Sequence, residues 1–460
     1  MSEKQHHSRN KMERSLQNRH VQIMAIAGTI GTGLFLGAGR SISLTGPSII
    51  FIYMLTGGFM YLMMRAIGEM LYRDPDQHTF INFITYYMGK GWGYFAGWSY
   101  WLSVVFIGMA ELTAVAEYVQ FWFPTWPSWI IQLVVLVILG LVNLIAVRIF
   151  GEVEFWFAMI KIIAILALIA TAIFMVLTGF ETPTGIASIT NISDGFSLFP
   201  NGPLNFIVAF QMVFFAYLMM EFIGVTTAET ENPRKVLPKA IKEIPVRIVF
   251  FYGGALLAIM AIIPWKNLAT AGSPFVTVFE LAGIKWAAGL INFVVLTSAA
   301  SALNSTLYST GRHLYQIAHD SPNAFLKKFK VDTLSRQNVP QNAILTSAVV
   351  IALAAAISVL PGVSDAFTLI TASSSGVYIA IYVLVMLAHL NYRTSTDFMA
   401  DGYLMPAYRI LNPLTIGFFL FVFATLFLQE ATLWGAIGST IWIILFGGYS
   451  QYKFRKYNKG

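Results

Sequence analysis

The 460-residue sequence contains no cysteine, so neither disulfide bonds nor thiol chemistry can contribute to its fold or its activity. Charged residues are scarce, at 11% of the chain. No glycine-rich phosphate loop occurs, and the histidines lack the spacing of metal ligands. We also find no catalytic set of paired carboxylates with histidine. The sequence therefore predicts a protein that is not an enzyme and that has no metal site and no cofactor.

The sequence is instead rich in apolar residues. Hydrophobic residues make up 57% of the chain and the mean hydropathy is +0.67. Apolar stretches repeatedly exceed the roughly 18 residues that indicate a membrane-spanning helix. We therefore predict an all-α integral membrane protein with twelve transmembrane helices. The predicted spans lie near residues 21–39, 48–70, 93–120, 127–147, 155–178, 203–228, 243–264, 276–307, 341–360, 366–390, 409–428 and 431–448.

The basic residues predict the orientation of these spans. If the amino terminus is cytoplasmic, only Arg40, Lys266 and Lys285 of the 29 lysines and arginines fall outside, and Lys161 lies within a span. Inner loops typically carry such an excess of basic residues. An even number of spans then returns the carboxyl terminus to the cytoplasm.

The chain is organised around Ala27–Phe35, in the middle of the first span, where three glycines and two threonines lie close together. Glycine weakens a helix, and hydrocarbon does not tolerate unpaired backbone N–H and C=O groups. We therefore expect this backbone to line a polar site, as the broken helices of many transporters do. The alternative is that the small residues only allow a neighbouring helix to approach closely.

A second interruption is expected in the sixth span, where Tyr217 and Glu221 lie at mid-membrane. Spans one and six are five apart and run in opposite directions, which predicts two five-helix repeats of inverted topology. The predicted organisation is a cytoplasmic tail over 1–20, a ten-helix transport core over 21–390 with repeats 21–178 and 203–390, and helices 11 and 12 with a cytoplasmic tail over 391–460.

Three motifs in this order resemble the bacterial amino acid permeases of the amino acid, polyamine and organocation superfamily. They are Gly31–Phe35 in span one, Phe215–Tyr217 with Glu221 and Ala228–Pro233 in span six, and Ser301–Ser305 with Arg312 in span eight. The resemblance implies the leucine-transporter fold, with the substrate at the breaks of helices 1 and 6 and with helices 11 and 12 outside. It also implies secondary active transport by alternating access across the bacterial inner (cytoplasmic) membrane, and it leaves the oligomeric state open.

The chemistry of an amino acid suits these breaks. Its carboxylate needs N–H donors, which the first break can supply, and its ammonium needs carbonyl acceptors, which both breaks can supply. Tyr217 either closes the site or serves only as packing. The candidate binding residues are Thr29, Ile30, Gly31, Thr32, Gly33, Phe215, Ala216, Tyr217, Leu218 and Met219, together with Glu111 and Glu221.

Glu111, Lys161 and Glu221 are ionisable residues deep in predicted spans. Each would cost about 2.5 to 3.5 kcal/mol at a helix centre, so a functional role is favoured. The two glutamates are substrate-pocket groups, proton partners or members of a buried structural network. Lys161 either extends to the cytoplasmic interface or, as the resemblance implies, occupies the place of a sodium ion and couples transport to protons.

Met219 departs from the glycine that many such permeases carry at this position. A longer side chain would reduce the pocket, which favours serine, threonine, alanine or glycine as the substrate. The chain is most similar to bacterial serine and alanine or glycine permeases, including the segments Leu44–Ser48 and Phe155–Lys161. The alternatives are a proton-independent exchanger, or a permease for aromatic, branched or other amino acids such as γ-aminobutyrate.

Overall fold

The computed structural model describes residues 30–75, 77, 79–145, 150–221, 232–268, 272–283, 285–320, 324–335, 339–360 and 365–455. These residues are almost entirely helical. In chain order the α-helices are α1 (Thr32–Phe35), α2 (Gly37–Thr45), α3 (Ile49–Arg73), α4 (Ile81–Met88), α5 (Lys90–Gln120), α6 (Ser128–Ile145), α7 (Phe150–Thr178), α8 (Thr190–Ser193), α9 (Pro203–Ala216), α10 (Pro233–Lys242), α11 (Ile244–Arg247), α12 (Gly254–Ile262), α13 (Pro274–Leu281), α14 (Lys285–Asp320), α15 (Ala324–Lys328), α16 (Gln341–Ile351), α17 (Leu353–Ile357), α18 (Ala366–Thr394), α19 (Tyr408–Thr425) and α20 (Glu430–Arg455).

Eight helical runs of the described chain are long and apolar enough to cross a membrane. They are Gly37–Arg73, Lys90–Gln120, Phe155–Thr178, Pro233–Ile262, Trp286–His319, Ala366–Thr394, Tyr408–Thr425 and Glu430–Arg455. Shorter apolar helices cover Ser128–Asn143, Pro203–Ala216 and Gln341–Ile357.

Helices α5 and α18 form the centre of the molecule. In each of them 78% of the most apolar stretch is buried, compared with 33% in α19 and 28% in α20. Helix α5 packs against both α14 and α18, and α18 also packs against α19 and α20. The last two helices therefore lie at the periphery and expose most of their apolar surface, as lipid-facing helices do.

Some predicted spans have different bounds in the structure. The span predicted near 276–307 is divided into α13 and α14, because Gly283 has a left-handed φ of +77° that ends a helix. The span predicted near 243–264 belongs to a helical run that already begins at Pro233 and includes a π-helix at Ile248–Gly253. Pro233 and Pro245 each lie in the first turn of a helix, where the missing N–H costs little.

The connection between α7 and α9 lies across the ends of two other helices. It contains a two-stranded antiparallel hairpin of β1 (Glu181–Thr182) and β2 (Gly185–Ile186). The N–H of Ser188 donates to Ala261 O at 2.9 Å, and the amide of Asn201 donates to Ser43 O at 2.9 Å. These bonds hold the connection against the ends of α12 and α2.

Candidate functional site

The described part of the first span begins with non-helical backbone, at the place of the predicted interruption. Gly31 is extended, with φ −131° and ψ −161°, and α1 follows it for a single turn. A separate helix, α2, starts at Gly37 after one non-helical residue. Gly31 O accepts hydrogen bonds from the N–H groups of Leu34 and Phe35. Thr29 and the preceding residues lie outside the described part of the chain.

Glu111 of α5 faces this interruption. Its Oε1 accepts a hydrogen bond from Thr32 Oγ1 at 3.1 Å and lies 3.5 Å from the backbone nitrogen of Thr32. Lys161 of α7 is close enough to Glu111 for an electrostatic interaction. The relative exposure of Glu111 is 4% and that of Lys161 is 3%, so both ionisable groups are held out of water. The structure thus brings Thr32, Glu111 and Lys161 into one cluster, which we call the first-break cluster.

The first span touches α9 through glycine. A Cβ atom on Gly33 would lie 2.6 Å from Cα of Ala216, and one on Gly37 would lie 2.9 Å from Sδ of Met212. Real Cβ atoms do not approach backbone atoms so closely, so only glycine fits at Gly33. This supports the reading that small residues allow close helix approach, and it adds that the surface approached is the end of α9.

Helix α9 ends at Ala216, and residues Tyr217–Glu221 form a turn. Met219 has a left-handed φ of +65°, a conformation that favours glycine and strains other residues. This backbone geometry gives a physical reason for the glycine of similar permeases. The Ala216 carbonyl accepts a hydrogen bond from Tyr252 Oη at 3.1 Å.

Tyr217 is fully buried and points toward α3. Its hydroxyl donates to Tyr53 O at 3.0 Å, and its ring stacks on Tyr252 with ring centroids 4.8 Å apart. This arrangement favours the packing role for Tyr217.

Glu221 belongs to a second cluster, formed with tyrosines of α18. It accepts hydrogen bonds from Tyr382 Oη at 2.6 Å and from Tyr378 Oη at 3.3 Å, and it is completely buried. The two tyrosines are four residues apart and therefore lie on one face of α18. These two tyrosines were not predicted from the sequence, although two tyrosines four residues apart in an apolar span were a usable signal.

The remaining predicted residues at the breaks contribute apolar surface. Ile30 and Leu218 are buried, at 1% and 5% exposure. Phe215 is also buried, and its ring lies edge-on to Phe367 with centroids 6.1 Å apart.

An ion pair that the sequence analysis did not predict joins α2 to the start of α18. Arg40 binds the Asp365 carboxylate, donates to Thr368 Oγ1 at 2.9 Å and lies 3.5 Å from Glu117 Oε1. Its guanidinium also lies 5.0 Å from the Phe367 ring centroid. Burial alone would raise the pKa of Asp365, but the Arg40 guanidinium and the Thr368 hydrogen bonds hold it below its usual range. Asp365 is therefore ionised at neutral pH.

Among the residues that the structure describes, no group of three or more histidine, aspartate or glutamate side chains is placed to hold a metal ion. The arrangement instead offers two adjoining stretches of non-helical backbone, one at each predicted interruption, with a buried carboxylate and a buried amine beside the first. Such a site can bind a small zwitterion and can hold or release a proton.

Comparison with known proteins identifies the family. The model of the amino acid permease family matches residues 20–449. The chain is 51% identical over 441 residues to the DL-alanine permease SerP2 of Lactococcus lactis subsp. cremoris (strain MG1363), which covers 96% of this chain and 95% of the relative. It is 49% identical to the serine permease SerP1 of the same strain, over 96% of this chain and 98% of the relative.

A third relative comes from another bacterium. The D-serine/D-alanine/glycine transporter of Escherichia coli (strain K12) is 40% identical over 95% of this chain and 93% of the relative. Together with the apolar helical runs, these matches identify a multi-pass membrane protein and a transporter rather than an enzyme. The chain belongs to the amino acid permease family.

Proposed function

We propose that this permease imports a small neutral amino acid, such as serine, threonine, alanine or glycine, together with protons. The observation that carries the proposal is the contact between Gly33 and Ala216, which joins the two helix interruptions beside Glu111 and Lys161. The substrates named for the three relatives are all small and neutral, which supports the same class here.

The proposed architecture has twelve spans, with both termini in the cytoplasm of a bacterial cell and the protein in its inner membrane. Eight long runs and three shorter apolar helices support this count, since Gly37–Arg73 is too long for one crossing. Its 37 residues would measure about 55 Å as a straight helix, against about 30 Å of hydrocarbon. The peripheral position of α19 and α20 supports a ten-helix core of two inverted repeats, 21–178 and 203–390, with two outer helices over 391–460.

In this site the substrate carboxylate binds at the first break, next to the N–H groups of Ile30, Gly31 and Gly33, because the N–H of Thr32 already faces Glu111. The ammonium binds near the carbonyls that follow the end of α9, over Phe215–Leu218, where the negative end of the helix dipole favours a cation. Because Tyr252 already donates to Ala216 O, we assign the ammonium mainly to the neighbouring carbonyls.

Lys161 is the proposed coupling residue. Its ammonium stabilises the Glu111 carboxylate in a buried place, and loss of its proton would leave that charge without compensation. Proton release and a change in the first-break cluster are therefore linked, and no sodium ion is needed. Glu221 is a second candidate for proton exchange. The main alternative is exchange of one amino acid for another without protons.

Uptake by proteoliposomes tests this function. We expect labelled L-serine, L-alanine, D-alanine or glycine to accumulate under an inward proton gradient with or without sodium, while leucine, phenylalanine and γ-aminobutyrate compete weakly. Lys161→Ala should abolish accumulation but leave exchange, and Lys266→Ala, at an exposed lysine, is the matched control. Accumulation that persists in Lys161→Ala, or that requires sodium in the parent, would contradict proton coupling through Lys161.

A further inference from the structure

A third buried carboxylate, Glu69, lies near the end of α3, away from Glu111 and Glu221. Glu69 is 2% exposed and is bound from several directions. Arg393 of α18 places Nε 2.6 Å from Oε1 and Nη2 2.7 Å from Oε2, a two-point contact. His389 Nε2 lies 3.1 Å from Oε2. The N–H of Met405 donates to the same oxygen at 2.6 Å. The carboxylate thereby joins α3, α18 and the connection after α18.

The histidine of this cluster is held in one orientation. Asn412 Nδ2 donates to Met386 O at 3.0 Å and lies 2.9 Å from His389 Nδ1. Because the Asn412 amide nitrogen is a donor, His389 Nδ1 is the acceptor in this contact, and Nε2 is the ring nitrogen that lies near Glu69. Helix α19, which carries Asn412, is thus connected to the cluster as well.

We call residues 395–407, between α18 and α19, the inner strap, since the proposed topology places them on the cytoplasmic side. Three α3 residues at intervals of four bind it. Arg65 donates to Leu404 O, and Glu69 accepts the hydrogen bond from the N–H of Met405. Arg73 Nε donates to Asp397 O at 3.1 Å. This spacing puts all three side chains on one face of α3.

The last residue of the strap has a strained backbone conformation. Ala407, its last residue, has a left-handed φ of +42°. Alanine avoids this conformation unless the surroundings determine it.

Helix α18 connects this cluster to the second break. Tyr378 and Tyr382 bind Glu221, and His389 and Arg393, each eleven residues further along, bind the carboxylate of α3. Eleven residues are about three helical turns, so both pairs lie on nearly the same face, about 16 Å apart. Side chains of the single helix α18 therefore contact two buried carboxylates, Glu221 at the proposed substrate site and Glu69 at the strap.

We propose that Glu69 is a positioning residue for transport, which acts through α18 to couple the second break to the position of the inner strap. This inference rests on the proposed function, because it takes the second break as part of the substrate site. The strap covers the cytoplasmic ends of α3 and α18 when Glu69 is bound. A change at the second break shifts α18 and with it the strap.

Coupling between two sites is reciprocal, so loosening the strap must alter substrate affinity. The chain has no cysteine, so one introduced cysteine reports on the strap without interference. Met405→Cys places the reporter at a residue that is 2% exposed, and its backbone bond to Glu69 does not depend on the side chain. Thr396→Cys, at an exposed residue of the strap, is the control that should always be labelled.

The experiment measures maleimide labelling of these reporters and equilibrium binding of serine in the full-length protein, with and without Glu69→Gln. We expect Glu69→Gln to increase labelling of the Met405→Cys reporter about tenfold and to change the serine Kd by about fivefold or more. Arg393→Lys keeps the charge but loses the two-point contact, and it should act in the same direction. It is the second variant if Glu69→Gln does not fold.

Labelling that stays at the parent rate in both variants would overturn the role of Glu69 in holding the strap. Increased labelling with an unchanged serine Kd would overturn the coupling through α18. Absence of serine binding in the parent would contradict the proposed substrate instead, while the labelling rates would still decide whether Glu69 holds the strap.

Discussion

The two helix interruptions differ in the size and type of their residues. The first contains glycine and threonine, and its partner is a carboxylate, Glu111, on another helix. The second contains large residues, one of them in a left-handed conformation, and its own carboxylate, Glu221, binds the tyrosines of α18. The first interruption is thus made of small groups beside a buried carboxylate, whereas the second is held in place by aromatic packing and phenol hydrogen bonds.

The sharpest test of this difference is the addition of a single methyl group at Gly33. Gly33→Ala places Cβ against the backbone of Ala216, and overpacking of this kind typically costs about 1 to 3 kcal/mol. We expect serine uptake to fall at least tenfold. The control is Gly58→Ala, because a Cβ on exposed Gly58 meets no atom within 4 Å, and its uptake should stay within about twofold of the parent. Parent-like uptake in Gly33→Ala would show that the two interruptions tolerate separation.

The charges at the two interruptions can be compared by removing one at a time. Glu111→Gln leaves the buried Lys161 ammonium without its carboxylate, so we expect gradient-driven accumulation to be lost while exchange remains. The glutamine of Glu221→Gln keeps an oxygen that can accept the hydrogen bond of Tyr382. We therefore expect accumulation to fall less in Glu221→Gln than in Glu111→Gln. Accumulation ratios under an inward proton gradient, with counterflow as the exchange measure, check both. A larger loss in Glu221→Gln would reverse the assignment of the coupling site.

Met219 offers a test of the second interruption. Met219→Gly should relieve the left-handed strain, which is worth about 1 to 2 kcal/mol and offsets lost side-chain contacts. The melting temperature should therefore stay near the parent value, and leucine or phenylalanine should compete better with labelled serine. Lys330→Gly relieves similar strain at an exposed residue outside both the site and the strap, and it should leave competition unchanged. Unchanged competition in Met219→Gly would show that this side chain does not limit the pocket.

The smallest effect is expected at Tyr217. Tyr217→Phe removes one hydrogen bond to Tyr53 O, which costs about 1 kcal/mol of stability, and should leave the serine KM unchanged. Thermal unfolding and uptake kinetics on the same preparation measure both. A severalfold rise in KM with normal stability would assign Tyr217 to the substrate rather than to packing.

The first interruption was predictable and the second only in part. Glycines in an apolar span and isolated charges in the membrane are costly, so Gly31, Glu111 and Lys161 were identified from the sequence alone. The structure then places Glu111 against Thr32 and near Lys161. The proposed binding roles stay predictions.

The partners of Glu221 and Arg40 were not predicted. Tyr382 lies 161 residues from Glu221 along the chain, and Asp365 lies 325 residues from Arg40. Which faces of distant helices meet depends on their rotation and packing, which hydrophobicity within an almost uniformly apolar span does not specify. The left-handed backbone at Met219 was not predicted either, because methionine is not a residue type that indicates this conformation.

Equilibrium binding of labelled serine to purified Gly31→Leu tests whether an amino acid binds at the first interruption. A Cβ on Gly31 would lie 3.0 Å from Glu111 Oε1, so a leucine side chain must occupy the space beside the first-break cluster. We expect Gly31→Leu to lose at least a hundredfold in serine affinity, and we expect Gly58→Leu to bind serine like the parent. Parent-like affinity in a folded Gly31→Leu protein would contradict this placement of the site.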